Sequence, residues 1–419
     1  LRTVPSVGAA PAGAGATLGR WSRTGALPAG RALAAVAHLR DGDVLVAGGL
    51  GQGQSVLSSA EVYDPADGTW SAVGTLNAGR VGASAAVLPD GDVLVAGGYG
   101  GRHVPLRSAE LYHPATGTFT ATGSMAAARG YAGAALLPGG GVLVAGGEGP
   151  GHAPLPTAEI YRPATGTFTA TGSMAGARAF PAVAALPGGD VLAAGGTGSG
   201  GTLATAERYD PSSGTWSAAG RMDMPRTMTA AVVLSGGAVL VVGDGAAADR
   251  YDPSTGRWTA TQGMAVVRTM PAVAALPGGR VLVAGGQSMG TSVATAEVYE
   301  PSSMAWLGAG EMSSARAGAA AVGLSNGQVL VAGGGDVSSP PGARPRVQVV
   351  SSADLFAAPA GGGRSRHGAV AAPAGEVPPP IGFPLLPLVI GLAAGAAVLA
   401  LPAGVLAERR RRRGSAGSG

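Results

Sequence analysis

Gly42-Asp43-Val44-Leu45-Val46-Ala47-Gly48-Gly49, then Ser59-Ala60-Glu61-Val62-Tyr63-Asp64-Pro65, then Gly68-Thr69-Trp70, is a phrase that the chain repeats, with variations, seven times. Its double glycine opens at Gly48, Gly97, Gly146, Gly195, Gly285 and Gly333, and a degenerate copy, Gly243-Asp244-Gly245, stands between the fourth and fifth of these. The first glycines are 49, 49, 49, 48, 42 and 48 residues apart. A period of roughly 40 to 50 residues marks one supersecondary unit per repeat, in the range of propeller blades.

Each unit parses into four short strands. In the second, Ala83 to Leu88 is small and apolar and is stopped by Pro89-Asp90-Gly91, where proline presets φ and glycine accepts φ > 0. Val93-Leu94-Val95-Ala96 is apolar at every position, so both of its faces must be covered. Ala109-Glu110-Leu111-Tyr112 follows, and His113-Pro114-Ala115-Thr116-Gly117 reverses the chain into a fourth strand carrying Phe119. Alanine favours helix, but these runs meet a breaker after roughly 5 or 6 residues, too soon for one. Sheets that are apolar on both faces must stack on one another, and seven of them close a ring. The expected fold is all-β, a seven-bladed β-propeller over residues 18–356.

The fourth-strand aromatics test the count. Trp70, Phe119, Phe168, Trp216, Trp258 and Trp306 supply only six. Trp21 precedes the first unit, whereas the last unit runs through Ala353-Asp354-Leu355-Phe356 and then ends without a fourth strand. The N-terminal strand is therefore expected to complete the last blade, which ties the two ends of the ring together and removes exposed sheet edges.

The diglycine after an apolar strand, the Tyr-Asp-Pro and the Gly-Thr-Trp at this period resemble the kelch repeat, of the bacterial kind that also builds the propeller of galactose oxidase. The resemblance implies the propeller fold; for function it implies binding platforms, scaffolds and, occasionally, oxidases. Gly243-Asp244-Gly245, Ala248-Asp249-Arg250 in place of the usual acidic third strand, and the missing last aromatic mark blades 5 and 7 as the irregular ones. The oxidase reading implies copper and a cysteine crosslinked to a tyrosine, and the chain has no cysteine. No cofactor or metal is expected. The chain reads as a non-catalytic binding or adhesion protein, with a copper-radical-type oxidase acting on alcohols or carbohydrates as the alternative.

The net charge of +4 could suggest nucleic acid. Arg409 to Arg413, set against Glu408, carry all of that excess, so the rest of the chain is neutral. A phosphate-binding surface needs clustered positive charge on the folded domain, and nucleic acid is set aside. All basic residues are arginine, which with abundant Ala and Gly suggests a GC-rich genome. Ile381 to Ala407 contains no charged residue, and roughly 20 apolar residues span a bilayer core. Residues 381–407 are thus expected to form a transmembrane helix, with the arginine-rich tail 408–419 cytoplasmic and the propeller outside. Residues 357–380 read as a stalk rich in Pro, Ala and Gly, and 1–17 as a flexible segment. Export requires a signal peptide, taken to have been removed or truncated. The ring is expected to be a monomer.

Comparison among units locates the candidate site. The turn between first and second strands is nearly constant, whereas the connection after the diglycine reads Leu50–Leu57, Tyr99–Arg107, Glu148–Pro156, almost nothing in the fifth unit, and Gly335–Gln348 in the last. In an antiparallel blade this connection shares a rim with the links between blades, so one rim is expected to carry recognition loops for a protein or glycan. The links repeat Arg31, Arg80, Arg129, Arg178, Arg226, Arg268 and Arg316, expected to brace Glu61, Glu110, Glu159, Glu207 and Glu297. Two residues further stand Leu33, Gly82, Tyr131, Phe180, Met228, Met270 and Gly318, a stretch that the kelch resemblance places near the central channel. Tyr131, Phe180, Met228 and Met270, with Arg129 and Arg178, are the candidate ligand contacts; plugging the channel is the other reading. His103 and His152 lie one period apart and could ligate a metal, but units 2 and 3 are near-duplicates and no third ligand is evident.

Overall fold

A computed structural model describes residues 18–338 and 346–359. Seven four-stranded antiparallel sheets form the ring. Blade 1 runs Ala35–His38, Val44–Ala47, Ala60–Asp64 and Thr69–Ala72 from the axis outwards, and blades 2 to 6 repeat that order. Blade 7 takes Ala320–Gly323, Gln328–Ala332 and Ala353–Ala357 from the end of the domain and Arg20–Thr24 from its start. Trp21 stands opposite Phe356 in that register, so the expected closure by the N-terminal strand is present. Each innermost strand lies against that of the next blade, and Ala35–His38 meets Ala320–Gly323 to complete the circle.

The last strand reaches Ala357, so that residue belongs to the ring and not to the stalk. The expectations for 1–17, for the stalk from 360 on, for the transmembrane helix 381–407 and for the tail 408–419 lie outside the described residues. Among the described residues no helix is long and apolar enough to cross a membrane.

The core lies between blades. One cluster joins Ala35, Leu45 and Ala60 of blade 1 to Ala85, Val93 and Val95 of blade 2, and another closes the ring by joining Val36, Val46 and Tyr63 to Val322, Leu330 and Ala353. Second strands such as Val44–Ala47 are buried along their whole length, which is why their sequence does not alternate. Innermost strands are rich in Ala and Gly because the sheets converge on the axis. A Cβ added at Gly133 would stand 2.0 Å from Val183 of the next blade. Packing in that wedge outweighs the helix propensity of alanine.

Each outer-strand aromatic stacks on the third-strand tyrosine of its own blade, as in Tyr209–Trp216 with ring centroids 5.1 Å apart, and Trp21–Phe356 repeats the arrangement in blade 7. The tryptophans also sew blade to blade: Trp216 Nε1 donates to the Gly172 carbonyl at 2.9 Å, and Trp21 Nε1 to that of Ala309 at 2.7 Å. Trp216 is half-buried against Leu143 and Met174 of blade 3. Trp216→Ala is therefore expected to cost about 2–4 kcal/mol, below the 3–5 of a fully buried tryptophan; urea unfolding checks the value.

Candidate functional site

The repeated diglycine is the joint on which the rim is built. Gly48 and Gly49 have φ of 67° and 101°, a region in which a side chain is strained, and a Cβ on Gly48 would meet the Arg80 carbonyl at 2.5 Å. That approach lets Gly49 N–H donate to the Arg80 carbonyl at 2.8 Å. The same bond joins every blade to the next, ending with Gly334 to Arg31 at 2.8 Å. In the degenerate copy Asp244 occupies the second position with φ of 54° and donates to the Arg268 carbonyl at 2.8 Å. Aspartate is one of the few residues that tolerate that conformation, so the departure leaves the joint intact. The departure shows instead in blade 5's outer hairpin, Gly245–Asp252 with Arg257–Arg268, which carries two register shifts.

The seven link arginines are buried, and each guanidinium donates to one acid and to at least one backbone carbonyl. Arg178 Nη1 donates to the Gly195 and Thr205 carbonyls, both at 2.9 Å, and Nη2 to Glu207 at 2.7 Å. Arg129 holds Glu159 in the same way at 2.9 Å, and Arg31, Arg80 and Arg268 hold Glu61, Glu110 and Glu297. Arg226 and Arg316 complete the set with Asp249 and Asp354. The sequence reading missed both aspartates as partners, although Asp249 sits where the other blades have glutamate. Glu110, Glu159, Glu207 and Glu297 each also accept two backbone N–H groups of the preceding link, as Glu159 does from Ala126 and Ala127, and Asp249 and Asp354 accept one. Burial lowers the guanidinium pKa of Arg129, and its hydrogen bond to Glu159 opposes that shift. Arg129 and Arg178, offered as ligand contacts, are thus placed as braces inside the ring.

Two residues after each arginine the chain turns left-handed: Leu33, Tyr131, Phe180, Met228 and Met270 have φ between 53° and 60°, and Gly82 and Gly318 take the same conformation. The two glycines at this position were the sequence signal for that strain. Backbone bonds pass from blade to blade here: Gly82 N–H to Leu33, Tyr131 N–H to Gly82, Phe180 N–H to Tyr131, and Gly318 N–H to Met270. Tyr131 and Phe180 stack at 5.0 Å, and Tyr99 stacks on Tyr131 at 5.3 Å. Tyr131, Phe180 and Met270 are buried and Met228 is half-buried. Tyr131 and Phe180 pack on one another across neighbouring blades, and with Met270 buried as well the expected open apolar patch is mostly closed.

Tyr131 covers Gly82 so tightly that a Cβ there would lie 1.9 Å from its ring. Gly82→Ala should cost about 2–4 kcal/mol from strain and overpacking. In urea unfolding the double variant with Tyr131→Ala should lose less than the sum of the two single changes.

Above this aromatic stack Tyr99 donates its hydroxyl to buried Glu148 at 2.8 Å, with His152 Nδ1 at 3.3 Å from both groups. Burial, and then Glu148, hold the Tyr99 hydroxyl far above the usual tyrosine range, and burial does the same for Tyr131. Both stay protonated at neutral pH. One imidazole, one carboxylate and two protonated phenols do not make a two-histidine copper site. Among the described residues no group of three or more His, Cys, Asp or Glu side chains is placed to hold a metal ion.

The Kelch motif matches residues 31–77, 80–126 and 178–222, the units of blades 1, 2 and 4. The chain carries kelch repeats on a seven-bladed β-propeller. No curated protein matches it in sequence. Among 930 solved chains that match, one is a fungal alcohol oxidase of the AA5 family in complex with copper, with a TM-score of 0.63, 17% identity, and 82% of this chain and 77% of that one covered. At that identity the likeness bears on the fold alone, and the kelch fold suggests a binding or scaffold role.

Proposed function

We propose that this kelch propeller is a non-catalytic binding protein whose variable rim docks a protein or glycan, with a protein partner favoured. The supporting observation is the distribution of exposed apolar side chains. Six large ones are exposed among the described residues: Val104, Met224, Val267, Met289, Met304 and Leu307. The first four lie on the rim of links and post-diglycine loops; Met289, at the tip of the Gln287–Ser292 hairpin, is fully exposed. Contiguous exposed apolar surface marks interaction sites, and Met224, Val267 and Met289 fall on the consecutive stretch of that rim from blade 4 to blade 6. The loops behind them differ from blade to blade: short helical turns at Gln52–Gln54, Gly101–His103 and Pro150–His152, and hairpins in blades 4, 6 and 7. A constant ring with one variable face suits recognition.

Presentation on a bacterial cell surface belongs to the same proposal. It rests on the charge-free run 381–407 followed by Arg409 to Arg413, which would anchor the chain in a membrane with the propeller outside. The oxidase alternative has only the fold likeness behind it, against a chain with no cysteine and, among the described residues, no group of three or more His, Cys, Asp or Glu side chains placed to hold a metal ion.

The test combines capture with chemistry. Full-length protein should retain a surface protein or a glycan on an array, and the triple variant Met224→Ser, Val267→Ser, Met289→Ser should weaken retention about 10-fold or more, as loss of a hot spot does. Copper-loaded protein should form no peroxide from primary alcohols or galactose. Peroxide production, or unchanged capture by the triple variant, would reverse the assignment.

A further inference from the structure

We infer a second recognition site, on the rim opposite the variable loops, that takes the arginine side chain of an extended basic peptide. It is a cavity of about 330 Å³ between blades 1 and 2, and Asp41, Asp43, Asp64, Asp67, Val73 and Tyr112 are among its lining residues. Asp43 and Asp64 continue the antiparallel register of Val44 with Tyr63, which sets two like charges opposite each other, an unfavourable pairing unless a cation intervenes. In blades 2 and 4 a side chain of the blade itself bonds the corresponding aspartate. The corresponding Asp92 of blade 2 is bonded to His113 at 2.7 Å, and Asp190 of blade 4 to Arg208. Blade 1 has Asp64 where blade 2 has His113, and Val62 where blade 4 has Arg208.

Tyr112 is the independent observation. It is 2% exposed, yet it lines the cavity and its hydroxyl has no partner among the described residues. In blades 1, 3 and 4 the same tyrosine is bonded to a threonine of the preceding blade: Tyr63 to Thr24, Tyr161 to Thr122 and Tyr209 to Thr171. For Tyr112 that position is Val73. The hydroxyl is thus left pointing at the aspartates; burial raises its pKa, and Asp41 and Asp43 raise it further. Burial and then the neighbouring aspartates likewise push the Asp43 carboxyl up.

A divalent ion does not suit these walls, because no three acidic groups here are close enough to share one. A guanidinium does: it donates to several carboxylates and to the phenol oxygen at once, while its methylene stem lies along Val73.

The experiment titrates the full-length protein with acetyl-Gly-Gly-Arg-Gly-Gly-amide and with its citrulline isostere, which keeps the shape and loses the charge. The arginine peptide should bind at least about 10-fold tighter than the citrulline one, and Asp43→Asn with Asp64→Asn should abolish that difference. Tyr112→Phe should weaken binding about 3-fold. Asp210→Asn with Asp252→Asn, which removes the same charge from turns of blades 4 and 5, should leave it unchanged. Equal binding of the two peptides, retained selectivity in the Asp43/Asp64 variant, or calcium binding that excludes the peptide would overturn the site.

Discussion

Arg178→Ala should be among the most destabilising single changes in this protein, by about 3–5 kcal/mol, because it strands a buried carboxylate. Arg178 is 0% exposed and Glu207 6%. With the guanidinium gone, Glu207 keeps only its bonds from the backbone N–H groups of Ala175 and Gly176, and the carbonyls of Gly195 and Thr205 lose their side-chain donor. Arg178→Lys should recover part of the loss, since an ammonium keeps the charge but not the fork that reaches two carbonyls and a carboxylate together. Arg178→Ala with Glu207→Ala should cost less than the arginine change alone, because the orphaned charge is then absent. Urea midpoints for the three variants decide the matter. A loss under about 1 kcal/mol for Arg178→Ala would mean that water reaches Glu207 and that the brace is ornamental.

Removing residues 1–25 should lower stability by at least about 5 kcal/mol, since a tryptophan and several hydrogen bonds go at once. The segment holds three blades together. Arg20–Thr24 pairs along its length with Ala353–Ala357 of blade 7. Leu18 N–H and Trp21 Nε1 reach the Gly308 and Ala309 carbonyls of blade 6. Thr24 bonds the Tyr63 hydroxyl of blade 1, and the Gly25 carbonyl accepts from Trp70 Nε1. Without it Ala353–Ala357 becomes an open edge, which is a template for pairing with another molecule. Thermal unfolding followed together with light scattering should show a lower midpoint and concentration-dependent association. An unchanged midpoint would show that blade 7 does not need its outer strand.

The two predictions rest on unequal kinds of legibility. Closure could be read directly, because the lack of a fourth-strand aromatic after Phe356 and the spare one at Trp21 are features of the one-dimensional string. The braces were half-legible: a link arginine and a third-strand glutamate recur at fixed spacing, but Asp249 and Asp354 are one methylene shorter, and neither was expected as a partner. Their chain reaches the guanidinium all the same, Asp249 at 2.7 Å and Asp354 at 2.8 Å. The channel-mouth residues were the least legible. Tyr131, Phe180 and Met270 look like a surface patch in a comparison of repeats, since they vary where their neighbours do not. Variation there reflects complementary packing around a ring of left-handed turns, with Gly82 small because Tyr131 is large.

Sequence alone determined how many blades there are, the order of strands in each, and which segment closes the circle, because these depend on local turn chemistry and on hydrophobic runs repeated in phase. Only the tertiary structure decided which side chains meet across the gap between one blade and the next. That gap buries Tyr131, pairs Arg226 with Asp249 and leaves the Tyr112 hydroxyl facing Asp41 and Asp43. Such contacts join residues tens of positions apart through the angle at which two sheets pack, and no local pattern encodes that angle.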